Sequence, residues 1–339
     1  MSENNTCAID INGHKTVACR TGLTLFAGLR TQKVFLPTGC GARGVCGQCR
    51  VKVVEGETSP PTDNEKGRLK EAELSAGWRL GCQLRLQGDL EIEASSCILH
   101  AKEYKTTVAS IIPLTYDIRR FSFAPAPGDK VPHRAGQFIN FVAKPYGEAK
   151  GMTIRCFSFA TPASVEDRID IIVRRTPNGA ATTYLFDHLK EGDEATLIGP
   201  FGEFRLSDAK APCIWIAGGS GLSPFVGMLR EMLDRGVSDR PVKLFFGAVN
   251  ERDLYYVGEL REFSAKHPWF KYIPALSGGE RCEACADYGL ITDVVARHIS
   301  NADQYEAYLC GSPGMIEACI ATLGGKGVKR ENIYFDRFG

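Results

Sequence analysis

Gly39-Cys40-Gly41-Ala42-Arg43-Gly44-Val45-Cys46-Gly47-Gln48-Cys49 decides the reading of the N-terminal third of the chain. Three thiols fall within it, and a fourth, Cys82, follows in Leu80-Gly81-Cys82. Thiolates are soft ligands suited to iron–sulfur clusters or zinc. The interleaved glycines permit positive φ, so the loop can fold tightly around an inorganic core. Its amides can also point at cluster sulfurs, which tunes potential. Structural zinc is the blander reading. Four-Cys zinc sites usually present two close pairs, whereas here only Cys46 and Cys49 form one. The pattern therefore favours a 2Fe–2S cluster held by Cys40, Cys46, Cys49 and Cys82.

Around this loop lie the signals of a small mixed sheet crossed by a helix. Cys7 to Ile11 alternates like a strand, Asn12-Gly13 is a two-residue hairpin signal, and Lys15 to Cys19 would pair back. Leu23 to Leu29 reads as a short helix, and Arg50 to Val54 and Leu90 to Ala94 as further strands. This first segment, 1–100, is followed by a strand-rich one, 101–208. There Thr106 to Ile112, Ile118 to Phe123, Gln137 to Val142, Arg155 to Ala160 and Ile169 to Arg174 are punctuated by Gly and Pro, as in a small antiparallel barrel. In the last segment, 209–339, apolar strands (Cys213 to Ala217, Val242 to Gly247, Tyr272 to Leu276, Glu306 to Cys310) alternate with helical stretches. Those stretches are Phe225 to Arg235, Ile291 to His298 and Met315 to Leu323, and the alternation predicts a parallel α/β sheet covered on both faces.

Bulk properties narrow the class. A chain of 339 residues with 44% hydrophobic content can build two or three cores. With 41 basic and 40 acidic residues, nothing points to nucleic acid or an acidic membrane surface. No apolar run approaches the roughly 18 residues that span a bilayer. Thirteen cysteines are an odd number and are bunched, and the N-terminus lacks the apolar core of a signal peptide. Reduced thiols in a cytoplasm fit better than a secreted disulfide framework.

The barrel segment carries Arg155-Cys156-Phe157-Ser158 on an expected strand and Gly179-Ala180-Ala181-Thr182-Thr183-Tyr184 at an expected helix start. Arg155 could neutralise a flavin phosphate, Phe157 could pack on the isoalloxazine ring, and the Ser158 hydroxyl could bond to it. Gly179 would let backbone approach a pyrophosphate at the helix N-terminus, beside Thr182. The third segment carries Gly218-Gly219-Ser220-Gly221-Leu222-Ser223-Pro224 between a strand and a helix, a phosphate or ribose cradle. Cys310-Gly311-Ser312-Pro313 ends a later strand. After Gly247 the acidic Glu251 and Asp253 flank Arg252, which favours NADH over NADPH because a 2′-phosphate needs clustered positive charge.

These motifs, in this order, resemble the ferredoxin–NADP reductase superfamily joined to an N-terminal 2Fe–2S domain. From Cys7 onward the chain is similar to the F subunit of the sodium-translocating NADH:quinone oxidoreductase. The shared features are a five-residue first cysteine gap, Cys-Gly-Gln-Cys-Arg-Val-Lys-Val, Gly-Pro-Phe-Gly-Glu-Phe and a C-terminal Asp-x-Phe-Gly. The resemblance implies a β-grasp ferredoxin domain, an antiparallel β-barrel binding FAD and a parallel-sheet α/β domain binding NADH. It places Cys310 and Gly311 beside the nicotinamide, and Phe338 over the flavin face. No residue need act as acid, base or nucleophile. Phe157 stands where the family has Tyr, which removes a hydroxyl contact. The pump subunit opens on a membrane-spanning helix, whereas this chain opens on the first ferredoxin strand. The expectation is therefore a soluble reductase, monomeric or weakly oligomeric. It would feed a partner such as an oxygenase that docks near the cluster loop, with quinone reduction as the alternative. Cys282 and Cys285 form a pair with no completing ligand and are assigned no role.

Overall fold

In the strand Thr6–Ile11 the side chains of Cys7, Ile9 and Ile11 are buried and those between them are not, the period-two pattern of a strand covering one core face. The structure, a computed structural model, describes residues 5–147, 151, 153–279 and 287–338. Cys282 and Cys285 lie outside these. Asn12 and Gly13 both take positive φ (58° and 65°), as the primed hairpin turn requires, and the chain returns as Lys15–Arg20. The helix Leu25–Thr31 is capped by Thr24, whose hydroxyl accepts from the Ala27 amide at 3.3 Å, and it buries Leu25 and Leu29. The sheet it crosses has the order Lys15–Arg20, Thr6–Ile11, Leu86–Glu93, Arg50–Thr58, Trp78–Leu80. One pairing, Thr6–Ile11 with Leu86–Glu93, is parallel.

The second sheet has the order Ile169–Arg174, Ile118–Pro125, Lys102–Pro113, Glu194–Phe201, Phe138–Ala143, Thr153–Ser158. Its outer strands meet again through the bridge Phe159–Ile171, which all but closes the barrel. Phe121, Phe123, Phe141 and Phe159 fill the interior. The third sheet is wholly parallel: Asp287–Tyr288, Phe270–Leu276, Val242–Ala248, Cys213–Gly218, Glu306–Gly311, Ile333–Arg337. Its central strand is buried on both faces, Trp215 toward one core and Ile214 and Ile216 toward the other. No helix among the described residues is long and apolar enough to cross a membrane.

Four strands among the described residues escape the sequence patterns: Trp78–Leu80, Glu194–Phe201, Asp287–Tyr288 and Ile333–Arg337. Glu194–Phe201 lies between Lys102–Pro113 and Phe138–Ala143 in the barrel sheet, and Ile333–Arg337 adds the C-terminus to the parallel sheet. Glu194–Phe201 is buried almost throughout and Ile333–Arg337 only partly, so neither alternates. The first unit leans on the second through Phe35, which packs with Phe138, Val142, Ile154, Ile198 and Phe201.

Candidate redox site

The loop before Arg50 is held open by backbone conformation. Gly41, Ala42, Gly44 and Gly47 all adopt positive φ (70°, 65°, 78° and 77°), which turns successive amides inward. The Arg43 amide donates to Cys40 Sγ at 3.2 Å, the Gln48 amide to Cys46 Sγ at 3.5 Å, and the Gln83 side chain to Cys82 Sγ at 3.5 Å. The four thiols meet in pairs. The neighbouring Cys46 thiol draws Cys40 below the ordinary thiol range and the Cys49 thiol does the same to Cys82, while Cys46 and Cys49 are themselves pushed up. Among the described residues no three His, Cys, Asp or Glu side chains converge on a point that could hold a single metal ion. Four thiols with N–H donors from Arg43, Gln48 and Gln83 aimed at their sulfurs suit an iron–sulfur cluster, which such hydrogen bonds tune, and Cys40, Cys46, Cys49 and Cys82 are the residues that would hold it.

The strand Thr153–Ser158 lies directly against this loop. Arg155 Nη1 donates to the Cys40 carbonyl at 3.1 Å and to the Ile154 carbonyl at 2.7 Å, and Gln48 Nε2 approaches Cys156 Sγ at 3.9 Å. Arg155 thus faces the cysteine loop as well as the barrel, a contact its place in the tetrapeptide did not disclose. Phe157 packs edge-on to Phe141 at 6.5 Å, against the barrel core. Thr182 is buried, and its hydroxyl donates to the Gly179 carbonyl at 3.1 Å and accepts from the Thr176 amide at 3.2 Å. It therefore shapes the turn into the short helix Ala180–Thr183 that Gly179 caps.

Ser158 is where the barrel meets the nucleotide unit. Its hydroxyl donates to Asp336 Oδ2 at 3.3 Å, and its carbonyl accepts from Ser223 Oγ at 2.9 Å, at the start of the helix Ser223–Asp234 that carries Pro224. Asp336 is in register with Cys310 across parallel strands. Burial lifts its carboxyl to about 6, against the hydrogen bond from Ser158, and burial pushes the Cys310 thiol well up. The two glycine motifs stand back to back: a Cβ on Gly221 would lie 2.2 Å from the Cys310 carbonyl oxygen, so only glycine fits. Met315 fills the gap between Gly218 and Gly311, lying 2.7 Å and 2.5 Å from where their Cβ atoms would be. The Phe338 amide donates to the Gly311 carbonyl at 2.8 Å, which fixes the C-terminal aromatic beside Cys310.

Three contributors had no sequence signal of their own. Tyr255 is buried and donates to the Gly219 carbonyl at 2.9 Å. Arg174, held by Asp117 at 2.7 Å, reaches from the barrel to within 3.2 Å of where a Gly219 Cβ would stand. Asp336 belongs to a motif noted for its aromatic, not its carboxylate. The argument from Glu251 and Asp253 is also revised. Asp253 is buried and caps its own turn by accepting from the Asn250 amide at 2.9 Å, so Glu251 alone offers its charge to solvent. Arg252 stacks 4.8 Å from the centre of the Tyr116 ring.

Comparison with known proteins agrees with this arrangement. Residues 9–87 match the 2Fe-2S iron-sulfur cluster binding domain, 105–206 the oxidoreductase FAD-binding domain and 215–320 the oxidoreductase NAD-binding domain. The chain is 30% identical to the F subunit of the Na(+)-translocating NADH-quinone reductase of Neisseria gonorrhoeae, over 98% of this chain and 91% of that one. It is also 30% identical to an aromatic O-demethylase reductase subunit from Amycolatopsis, over 98% of each chain. The crystal structure of the Amycolatopsis cytochrome P450 reductase GcoB superposes with a TM-score of 0.82 at 30% identity, over 98% of this chain and 99% of that one. Three cofactor-binding units in one order, each with its motif in place, make the chain a member of the family of iron–sulfur flavoprotein reductases to which the Neisseria and Amycolatopsis proteins belong.

Proposed function

We propose that the chain carries electrons from NADH, through FAD and a 2Fe–2S cluster, to a separate acceptor protein of the oxygenase kind. The observation that carries this is the position of the strand Thr153–Ser158, which touches the cysteine loop through Arg155 and the nucleotide unit through Ser158. A carrier held there lies between the other two. Bound flavin supplies the conversion of a two-electron hydride into the single electrons that an iron–sulfur cluster accepts. The chain's own residues position the partners. Cys40, Cys46, Cys49 and Cys82 hold the cluster; Arg155, Phe157, Ser158, Gly179 and Thr182 hold the flavin. Gly218, Gly219, Gly221, Pro224, Cys310 and Gly311 shape the nucleotide cradle, and Phe338 covers the flavin face. Asp336 can hold a proton at Oδ2 beside Ser158.

The unit limits proposed are 1–100, 101–208 and 209–339; the clusters around Ile9 and Leu80, around Phe121 and Phe141, and around Ile214 support them, while the cluster around Trp215 also takes in Ile118, Ala160 and Ile172 of the second unit. The acceptor docks near the cysteine loop, where Arg43 and Val45 are exposed. Likeness to the Neisseria NADH-quinone reductase keeps a quinone as the second reading of the acceptor. Replacing Cys82 with Ser tests the path. Ferricyanide reduction by NADH should persist and reduction of cytochrome c should collapse. Equal cytochrome c rates in variant and wild type would place the exit elsewhere.

A further inference from the structure

The flavin-motif strand and the cysteine loop are joined by more than packing. A guanidinium has five N–H donors in a fixed fork. Arg155 directs the two on Nη1 to the Cys40 and Ile154 carbonyls, at 3.1 and 2.7 Å. Nε and Nη2 carry three more, enough to receive an anion as well. Gly41 makes room for this, since a Cβ there would stand 3.1 Å from Arg155 Nη1 and 3.1 Å from the Ile154 carbonyl oxygen. The neighbouring residue makes a second tie: Cys156 Sγ meets the Gln48 amide at 3.9 Å, and Gln48 Oε1 is buried with no hydrogen-bond partner. Gly39 admits that contact, with Gln48 Oε1 and Cys156 Sγ 3.1 and 3.2 Å from where its Cβ would be. Two consecutive residues of the flavin motif thus grip the loop at Cys40 and between Cys46 and Cys49.

We propose that Arg155 is a positioning residue for the cluster as well as a phosphate ligand for the flavin. Arg43 Nε holds the same Cys40 carbonyl from within the loop at 2.9 Å; Arg155 is the tie that reaches it from the flavin strand, and it couples flavin binding to the cluster's potential. This rests on the functional reading above, which assigns the cluster to the four thiols. The physics has a sign. A fixed positive charge close to a cluster stabilises its reduced, more negative form, so loss of the charge makes the cluster harder to reduce. A residue that served only the flavin phosphate would leave the cluster of flavin-free protein untouched.

The test uses the full chain, stripped of flavin, with its iron–sulfur centre intact. Midpoint potential and visible circular dichroism of the cluster are compared in wild type and Arg155→Ala. The expected result is a lower midpoint in the variant, by about tenfold in the reduction equilibrium, which is about 59 mV for one electron, with altered dichroism. Superimposable midpoints and dichroism, with only FAD affinity reduced, would overturn the proposal. If Arg155→Ala loses its native far-ultraviolet dichroism, Arg155→Gln is measured against the same two outcomes. Wild-type protein that binds no 2Fe–2S cluster would instead overturn the functional reading on which the proposal rests.

Discussion

Replacing Asp336 with Asn probes the carboxylate at the junction of the flavin strand and the nucleotide sheet. Burial lifts the Asp336 carboxyl from 3.8 to about 6. A folded-state value above the unfolded one means that folding favours the protonated form. Stability is then fully present below about pH 4 and is lost as pH rises through about 6. Two units at about 1.36 kcal/mol each give at most roughly 3 kcal/mol of destabilisation at neutral pH. The side chain is partly exposed, and solvent screening reduces this to about 1–2 kcal/mol. Asn is nearly isosteric, keeps an acceptor for Ser158 Oγ and never ionises. The assay is urea unfolding of flavin-free protein at intervals from pH 4 to pH 8. Asp336→Asn should match wild type near pH 4 and exceed it by about 1–2 kcal/mol at pH 8. A variant less stable than wild type at pH 8, or a difference that does not change with pH, would refute the reasoning. The carboxylate would then be held ionised by its surroundings.

The buried pair Arg240–Glu306 (2.5 Å) also takes hydrogen bonds from Ser207 Oγ and Tyr308 OH, and it clasps the segment entering the third sheet. Glu306→Ala should therefore cost about 3–5 kcal/mol in chemical denaturation, since it strands a buried guanidinium. NADH should exceed NADPH in kcat/KM because Glu251 faces the solvent side of the nucleotide unit. Equal use of both nucleotides would show that this carboxylate lies away from the ribose. A fragment starting near Ala101 should keep ferricyanide reduction by NADH and lose most reduction of cytochrome c. It should also be less stable by about 1.5–3 kcal/mol, because it loses the cover that Phe35 provides over Phe138 and Ile154.

What could be read from the chain alone was whatever chemistry confines to a short stretch. A cluster needs thiols and tight turns at close spacing, so the loop from Gly39 to Cys49 was legible. A phosphate cradle needs glycines between a strand and a helix, so Gly218 to Pro224 was legible too. Strands that alternate, such as Thr6–Ile11, declared themselves by period. Only the tertiary structure set Cys40 beside Cys46 and Cys49 beside Cys82, and aimed the Arg43 and Gln48 amides at their sulfurs. It also turned Arg155 toward Cys40, set Asp336 beside Cys310 and Ser158, and drew Asp253 inward as a cap. These contacts depend on sheet register and on the meeting of separately folded units. The residues involved in the longest of them, Ser158 and Asp336, stand 178 positions apart. No local period carries information over such a distance; the side chains find one another only after three cores have packed.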